Sequence, residues 1–253
     1  MKRALCMLLA LTALLPLPLL FVQAEEAETA AWTSGDYQYV LMEDGTAKIT
    51  KFLGHADDLT VPGSLDGHSV TAIGDYAFSR CSGLTGVILP ESVTAIGDWA
   101  FSWCSDLRSI NIPDGVTVLN DGVFTFAGLR SITIPDGVIE IGKGSFYGCS
   151  DLTAVILPDS VSAIGVSAFS GCCGLTSIAI PDSVSSIGSL AFSGCSALTS
   201  VVLPDSVTYL GVYVFVGCDA LTVTVGRKSY ALGYCKDNKI NYTYLDSLDW
   251  LNN

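Results

Sequence analysis

The sequence predicts a repeat solenoid, a right-handed β-rich array in which each 23-residue unit supplies short strands and one short helical turn. Three residue types recur in register and predict it. The phenylalanines lie at Phe78, Phe101, Phe124, Phe146, Phe169, Phe192 and Phe215, at steps of 23, 23, 22, 23, 23 and 23 residues. Valines repeat with the same steps at Val70, Val93, Val116, Val138, Val161, Val184 and Val207, and prolines recur at Pro90, Pro113, Pro135, Pro158, Pro181 and Pro204.

Each unit combines a short strand, a turn and a second extended piece. Apolar residues alternate at the end of Leu84–Leu89, which predicts a strand with alternate side chains facing inward. Pro90 ends the ladder because proline has no N–H to donate, and the acidic residue after it predicts a turn. Val93–Gly97 is the second extended piece, and a short helical turn then carries Phe101. One unit is too small to fold alone, so stacked neighbours must share a core.

The two ends of the array are predicted to be caps. We place an N-terminal cap with a degenerate first repeat at residues 25–69, seven repeats at 70–225, and a C-terminal cap and tail at 226–253. Glu43–Thr46 lies between two alternating runs and predicts a hairpin turn. Ser229 is a suitable N-cap for a helix over Tyr230–Asp237, and Ile240–Tyr244 alternates like a last strand.

The N-terminus has the pattern of a signal peptide over residues 1–24. Lys2 and Arg3 precede an uncharged run, and the small residues Val22 and Ala24 predict cleavage after Ala24. The alternative is an uncleaved membrane anchor, because the run approaches the roughly 20 residues that a span needs. No second hydrophobic segment follows, so we expect no membrane insertion after cleavage and a secreted or cell-surface location.

The charge balance excludes some partner classes. The formal net charge is −13, and loss of Lys2 and Arg3 with the signal peptide would make it −13 − 2 = −15. Nucleic acid requires a basic face and is excluded as a partner. Simple electrostatic docking on an anionic membrane is disfavoured for the same reason.

The repeat unit resembles a known family. Units such as Val184–Ser206 closely resemble BspA-like leucine-rich repeats, and the likeness extends to the hairpin around Glu43–Thr46 and to Ser229–Lys236 near the end. It covers about Tyr37 to Tyr244. The resemblance implies a leucine-rich-repeat solenoid in an exported or surface protein, mostly bacterial, with some members linked to adhesion or to binding host proteins. Two features depart from the pattern: repeat three, Val116–Gly137, lacks its cysteine, and the chain shows no cell-wall attachment module.

The periodic cysteines are interpreted as packing residues. Six of them follow the repeat, at Cys81, Cys104, Cys149, Cys172, Cys195 and Cys218. One column of parallel side chains favours buried small hydrophobes, although disulfides or a metal site stay open as alternatives in an exported protein. Cys173 and Cys235 are predicted to be the most reactive cysteines.

The acids and histidines do not predict catalysis. Acidic residues follow the repeat prolines at Glu91, Asp114, Asp136, Asp159, Asp182 and Asp205, where turn chemistry and solubility explain them; a weak cation-binding stripe is the alternative. His55 and His68 are interpreted as surface residues. Motifs of hydrolases, nucleotide-binding proteins and zinc proteases are missing from the sequence. We therefore expect no enzyme activity, no cofactor and no metal.

Two clusters are candidate partner-binding residues. On the outward-facing positions of the strands, Arg108, Asn111 and Arg130 interrupt a surface of small uncharged residues. The helical-turn positions carry a second cluster, made of Tyr76, Arg80, Trp99, Trp103, Phe126 and Tyr147. Exposed Trp, Tyr and Arg are typical of binding hot spots, and Trp99 and Trp103 would share a face if the turn is helical. For the second cluster, the alternative is packing between coils or against a neighbour's surface.

The function expected from these observations is adhesion-type binding of an extracellular protein or glycan. The alternative is a structural or assembly protein of the cell surface that uses its ends or its flat sheet and has no dedicated ligand site. An exposed patch of aromatic and Arg side chains over repeats one to four would favour the first. Concentration-dependent oligomerisation would favour the second.

Overall fold

A computed structural model describes residues 31–245, so the predicted signal peptide and its cleavage site lie outside the described residues. In the described part, no helix is long and apolar enough to cross a membrane. This part forms a β-solenoid with a single α-helix near its end, which confirms the predicted fold class. We number the coils by their core phenylalanines, from coil 1 with Phe78 to coil 7 with Phe215.

The elements are given in chain order. The N-terminal strands are β1 Trp32–Ser34, β2 Tyr37–Leu41, β3 Ala47–Phe52, β4 Asp58–Thr60, β5 Ser64–Leu65 and β6 His68–Ile73. The repeats contain β7 Gly86–Ile88, β8 Ala95–Ile96, β9 Ser109–Ile110, β10 Val118–Leu119, β11 Ser131–Thr133, β12 Glu140–Ile141, β13 Ala154–Ile156, β14 Ala163–Ile164, β15 Ser177–Ala179, β16 Ser186–Ile187, β17 Ser200–Leu203, β18 Tyr209–Leu210 and β19 Thr222–Val225. The C-terminal cap adds α1 Tyr230–Asp237 and β20 Asn241–Tyr244.

Strands of successive coils stack side by side in two columns. The main column holds the strands that precede the repeat prolines and pairs as β4-β7-β9, β11-β13 and β15-β17-β19-β20. The side column holds the strands that follow the prolines and pairs as β6-β8 and β10-β12-β14-β16-β18. Pairing between coils is parallel and advances by one repeat, so Ile178 lies beside Val201 and Ile164 beside Ile187. Inward side chains such as Ile132 are buried, while Ser131 and Thr133 beside it are exposed, as alternation in a strand requires.

A column of tight turns forms the third side of the solenoid. Phe78 N–H donates to Ala100 O at 2.8 Å, and the same bond recurs from coil to coil up to Phe192 N–H and Val214 O at 2.9 Å. Within each turn, bonds such as Ser102 N–H to Trp99 O close over three residues. The turn column is continuous through all seven coils.

The core is a ladder of phenylalanine rings. Successive rings from Phe52 to Phe215 lie with centroids 5.0 to 5.9 Å apart, and all of these pairs are stacked. The phenylalanines from Phe78 to Phe192 are fully buried, together with the repeat valines and leucines. One buried aromatic ring contributes roughly 1.5–3 kcal/mol relative to its exposed state. Because each ring touches one neighbour above and one below, the core has no boundary between coils.

The cysteine column is part of this core, as predicted. Cys104, Cys149, Cys172 and Cys195 are fully buried, and the five thiols from coils 2 and 4 to 7 each donate to the carbonyl oxygen of the core phenylalanine one coil back, at 3.0 to 3.2 Å. Burial raises the pKa of Cys104 and of Cys149 to about 12. The eight described cysteines are free thiols. A small side chain with a weak donor fits this position, because the carbonyl would otherwise lose a partner.

The N-terminal cap contains the predicted hairpin and one strand more. β2 and β3 pair antiparallel across the turn at Glu43–Thr46, and β1 adds to the outer edge of β2. The stretched part of the first repeat is a second small hairpin, β5-β6. Its turn residue Asp66 accepts hydrogen bonds from Ser34 Oγ at 2.8 Å and Tyr39 Oη at 2.9 Å. These bonds, led by the one from Ser34, lower the pKa of the Asp66 carboxyl.

The C-terminal cap is as predicted. The helix α1 spans Tyr230–Asp237, and Ser229 caps it by accepting a hydrogen bond from Leu232 N–H at 3.1 Å. Ala231, Leu232 and Cys235 close the core. β20 then extends the main column beyond β19.

Both strand columns are interrupted between coils 2 and 3, where β9 does not pair with β11 and β8 does not pair with β10. The turn of coil 3 is one residue shorter, with Phe124 to Leu129 in place of Phe101 to Leu107. It brings Gly128 so close to coil 2 that a Cβ there would lie 2.0 Å from Ser105 O. The turn column stays continuous here and keeps the two coils joined by backbone hydrogen bonds. We call this junction the seam.

Side chains replace the missing ladder at the seam. Arg108 Nη1 donates to Gly128 O at 2.6 Å and to Asp151 Oδ2 at 3.2 Å. Asn120 takes the place of the glycine that ends the side strand in other coils, and its Nδ2 donates to Ile96 O at 2.7 Å. The equivalent carbonyl of coil 3, Leu119 O, accepts the backbone N–H of Gly142 in coil 4. The amide of Asn120 therefore occupies the acceptor that the ladder would use.

Candidate binding surface on the turn column

The second predicted cluster lies on the turn column of coils 1 to 4. Each turn has two positions with left-handed backbone, which we call the first and second left-handed positions. The first is held by Tyr76, Trp99, Gly122, Gly144, Ser167, Leu190 and Tyr213. The second is held by Arg80, Trp103 and Phe126 in coils 1 to 3, and by Gly148, Gly171, Gly194 and Gly217 in coils 4 to 7.

The second left-handed position separates the coils into two groups. Coils 4 to 7 have glycine there, which adopts this conformation without steric cost. Trp103 at φ 62° and Phe126 at φ 55° adopt it with large side chains, at a cost of roughly 1–2 kcal/mol per residue. Three adjacent coils therefore hold bulky side chains at a position where the chain's own repeat favours glycine. Strain of this kind is retained where the side chain has a role other than folding.

The rings on these positions form two short stacks along the array. Tyr76 stacks on Trp99 with centroids 6.4 Å apart and planes 6° from parallel. Trp103 and Phe126 lie 4.3 Å apart, and Tyr147 meets Phe126 edge-on at 5.3 Å. The side chains of Tyr76, Trp103 and Tyr147 are 58%, 49% and 41% exposed. We call these five residues with Arg80 the aromatic surface.

Two glycines receive the inner ring of each stack. A Cβ on Gly122 would lie 2.5 Å from the Trp99 ring, and a Cβ on Gly148 would lie 2.4 Å from the Phe126 ring. Both rings therefore lie directly on the backbone of the next coil and are half-buried, whereas Tyr76 and Trp103 keep their outer parts open to solvent. The surface is preorganised, because each inner ring is held between a neighbouring ring and the backbone of the next coil.

The helical turn that would place Trp99 and Trp103 on one face does not form. Both residues have positive φ, so the turn between them does not have the geometry that places residues four apart on one face of an α-helix. Trp99 belongs to the stack with Tyr76, and Trp103 to the stack with Phe126.

A row of aspartates borders the aromatic surface, and sequence analysis did not single it out. Asp75, Asp98 and Asp121 each precede the first left-handed position and recur at steps of 23 residues. Asp75 Oδ1 accepts from Asp98 N–H at 2.9 Å, Asp98 Oδ1 from Asp121 N–H at 3.1 Å, and Asp121 Oδ1 from Lys143 N–H at 2.8 Å. The common spacing was visible in the sequence and would have identified the row.

The first predicted cluster lies on the main column at the seam. A cleft of about 410 Å³ opens there, and Arg108, Asn111 and Ser131 line it. Arg130 is exposed beside it. Arg108 is half-buried and braces the seam. The amide of Asn111 is already engaged, because it accepts from Leu89 N–H at 2.7 Å and donates to Leu89 O at 2.9 Å. The structure does not bring these three residues together as one exposed charged patch.

The cysteines and histidines considered in the sequence analysis do not cluster at one site. Cys173 is exposed, but Cys235 is buried in the C-terminal cap and burial raises the pKa of its thiol to about 11, so the prediction of a reactive Cys235 is wrong. His68 Nδ1 lies 2.9 Å from Gly45 O, and His55 lines an open cleft of about 600 Å³ with Lys51 and Arg80. Within residues 31–245, no group of three or more His, Cys, Asp or Glu side chains is arranged to hold a metal ion.

Comparison with known proteins gives the family. The model of the BspA-type leucine-rich-repeat region matches residues 64–128 and 117–236, with six copies. The chain is similar to the crystal structure of a leucine-rich-repeat protein from T. pallidum, with 33% identity, coverage of 85% of this chain and 98% of that chain, and a TM-score of 0.72. It is also similar to a leucine-rich-repeat protein from Bacteroides ovatus, with 26% identity, coverage of 84% and 67%, and a TM-score of 0.54. Comparison with curated proteins finds no match.

The matched repeats span more than half of the chain and coincide with coils that stack through one phenylalanine ladder. The protein is therefore a member of the BspA-type leucine-rich-repeat family.

Proposed function

We propose that this protein is an exported recognition module of the adhesion type, which binds an extracellular ligand through the aromatic surface and has no catalytic role. The observation that carries the proposal is the strain at Trp103 and Phe126, two successive coils in which a large aromatic side chain holds the second left-handed position in place of glycine. Folding alone favours glycine there, as coils 4 to 7 demonstrate.

The composition and geometry of the surface support binding. Trp, Tyr and Arg are enriched among residues that dominate binding energy. Rings held by stacking lose little conformational entropy when a partner arrives, which favours affinity. The cleft beside Arg80 is open, so a ligand would lie across the surface. Signal-peptide features at Lys2, Arg3 and Ala24 support export.

The test uses the chain's own repeat as the guide to substitution. In a Trp103→Gly/Phe126→Gly double variant, each residue is replaced by the glycine that coils 4 to 7 have at the same position. The matched control is Ser167→Gly/Leu190→Gly, which changes left-handed residues of coils 5 and 6 outside the aromatic surface. The mature chain and both variants are assayed against immobilised extracellular-matrix proteins and glycan arrays, with circular dichroism to verify folding.

We expect the parent and the control to bind the same ligand and the Trp103→Gly/Phe126→Gly variant to lose at least about tenfold in affinity, which corresponds to about 1.4 kcal/mol. Equal binding by all three folded proteins would contradict the assignment of this surface. Binding by none of them would contradict the recognition function itself.

One observation favours a second candidate, a structural role through end-to-end assembly. Coil 7 exposes Tyr209, Val212, Tyr213 and Val216 at 50–63%. In coil 6, Leu190 N–H and Phe192 N–H donate to the next turn, whereas no turn follows coil 7 within the described residues. An exposed apolar edge of this kind is suited to pairing with another chain. Sedimentation velocity over a range of concentrations tests this: self-association that a Val212→Ser/Val216→Ser variant abolishes would favour assembly, and a monomer throughout would reject it.

A further inference from the structure

We propose that the aromatic surface recognises a basic polypeptide segment, an extended stretch rich in lysine or arginine. This inference rests on the proposed recognition function and adds the chemical class of the ligand. Charge complementarity carries it: Tyr76 and Trp99 directly follow Asp75 and Asp98, whose exposed carboxylates belong to a row of three on a strongly acidic chain.

The carboxylate row retains binding capacity. Asp75, Asp98 and Asp121 each use Oδ1 to accept a backbone N–H from the next coil. Within the described residues, Oδ2 of none of the three has a hydrogen-bond or ion-pair partner. The row therefore presents three negative charges, one per coil, that are held in place by the backbone and not neutralised by the protein. Like charges in adjacent coils repel one another, and a cationic ligand removes that repulsion.

The aromatic rings supply the second half of the recognition. A lysine ammonium or an arginine guanidinium is attracted to the face of Trp or Tyr, and the attraction adds to that of nearby carboxylates. Tyr76 follows Asp75 directly and is exposed, and Trp103 is exposed in the next coil. The methylene groups of a lysine or arginine side chain can also pack on the ring edges. The same carboxylates would repel an acidic ligand and weaken its binding.

The dimensions suit a short extended segment. The row crosses two coil steps, roughly 10 Å at the spacing of paired strands. An extended polypeptide covers that length with about three to four residues. Two basic side chains of such a segment can therefore reach the row while a third lies on the Tyr76–Trp99 stack, whose residues directly follow Asp75 and Asp98.

Two basic residues delimit the surface and distinguish this ligand from a neutral glycan. Arg80 starts the row of second left-handed positions, and Lys143 follows the aspartates in coil 4. Arg80 repels a cationic ligand, so its removal strengthens binding of a basic segment. For a glycan, Arg80 is a hydrogen-bond donor, and its removal weakens binding.

The experiment measures a labelled lysine decapeptide by fluorescence anisotropy against the mature chain at low and high salt, with a glutamate decapeptide and a neutral glucan oligosaccharide as comparison probes. The test variant is Asp75→Asn/Asp98→Asn/Asp121→Asn, in which Oδ1 can still accept the backbone N–H of the next coil. The matched control is Asp114→Asn/Asp136→Asn/Asp159→Asn, which removes the same charge from exposed corners of the coils.

We expect the lysine peptide to bind the parent, to weaken with salt, and to lose about tenfold in affinity in the test variant but less than about threefold in the control. Arg80→Gly should bind it more tightly. Equal losses in the two Asn variants would overturn the inference, since the peptide would then sense only net charge. If the glucan binds through Trp103 and Phe126 and the lysine peptide does not, the recognition function stands and the basic ligand is rejected. If the parent binds neither these probes nor the matrix and glycan panels, both proposals fail.

Discussion

Replacement of Trp103 by glycine should leave the protein more stable than replacement by alanine. This order is opposite to the usual one, because glycine normally costs about 0.5–1 kcal/mol relative to alanine within regular structure. Trp103 has a φ of 62°, a conformation that only glycine adopts without steric cost. The comparison therefore tests directly whether the turn backbone of coil 2 is left-handed and strained.

The magnitude follows from terms that differ between the two variants. Both lose the indole ring and its contact with Phe126, so this loss cancels. In the alanine variant, the left-handed backbone still destabilises the folded state by roughly 1–2 kcal/mol. The glycine variant avoids this cost, but its more flexible unfolded chain lowers the free energy of unfolding by about 0.4–1 kcal/mol. The glycine variant should be more stable by about 1 kcal/mol, which raises Tm by about 2–4 °C for a chain of this length.

Thermal and urea unfolding followed by circular dichroism provide the assay. The internal control is Asp106, an exposed residue of the same coil with no left-handed φ. There, Asp106→Ala should be at least as stable as Asp106→Gly. If Trp103→Ala equals or exceeds Trp103→Gly in stability, the turn is not strained, and the argument that the aromatic surface is retained for binding loses its basis.

Three further predictions follow from the core, the thiols and the N-terminal cap. Phe169→Ala removes one ring of the ladder and should cost about 3–5 kcal/mol; melting curves that differ from the parent by less than a degree would contradict it. At pH 8 a thiol reagent should modify Cys173 well before Cys104, whose pKa burial raises to about 12; if mass spectrometry finds that Cys173 and Cys104 of the folded chain are modified at equal rates, the conclusion that the cysteine column is buried is refuted. Hydrogen bonds, first the one from Ser34, lower the pKa of Asp66 in the folded state, so its contribution to stability is present above the unfolded pKa and is lost as pH falls through the folded value. Asp66→Asn should flatten the acid side of the stability–pH curve, and an unchanged slope would show that other carboxyls cause it.

The recurring core positions were readable from the sequence because burial repeats with the chain. Phe192 and Cys195 face inward as their counterparts one repeat away do, so the spacing alone identified both as core residues. The cap helix at Tyr230–Asp237 was equally predictable, since Ser229 has the local chemistry of an N-cap. These features follow either from residues close together in the sequence or from the repetition of one residue type at a fixed spacing.

The candidate site was only half predictable. Composition identified Trp103 and Phe126 as unusual, but their backbone conformation became evident only when the structure aligned them with the glycines of coils 4 to 7. Asn111 was expected to face a partner because its sequence position alternates outward. Its amide instead bonds the backbone of Leu89. This hydrogen bond depends on which backbone groups of the adjacent coil lack other partners, and the sequence position of Asn111 does not reveal them.

By itself, the sequence determined the solenoid, its repeat length, its core ladder and its two caps, because a periodic chain can bury its apolar residues only by stacking one coil on the next. Only the tertiary structure decided how side chains of different coils meet: the ring stacks seated on Gly122 and Gly148, the aspartate row beside them, and the seam that Arg108 bridges. The physical reason is that these contacts join residues about one repeat apart across coils, and their geometry depends on the left-handed turns and on the single missing residue in coil 3.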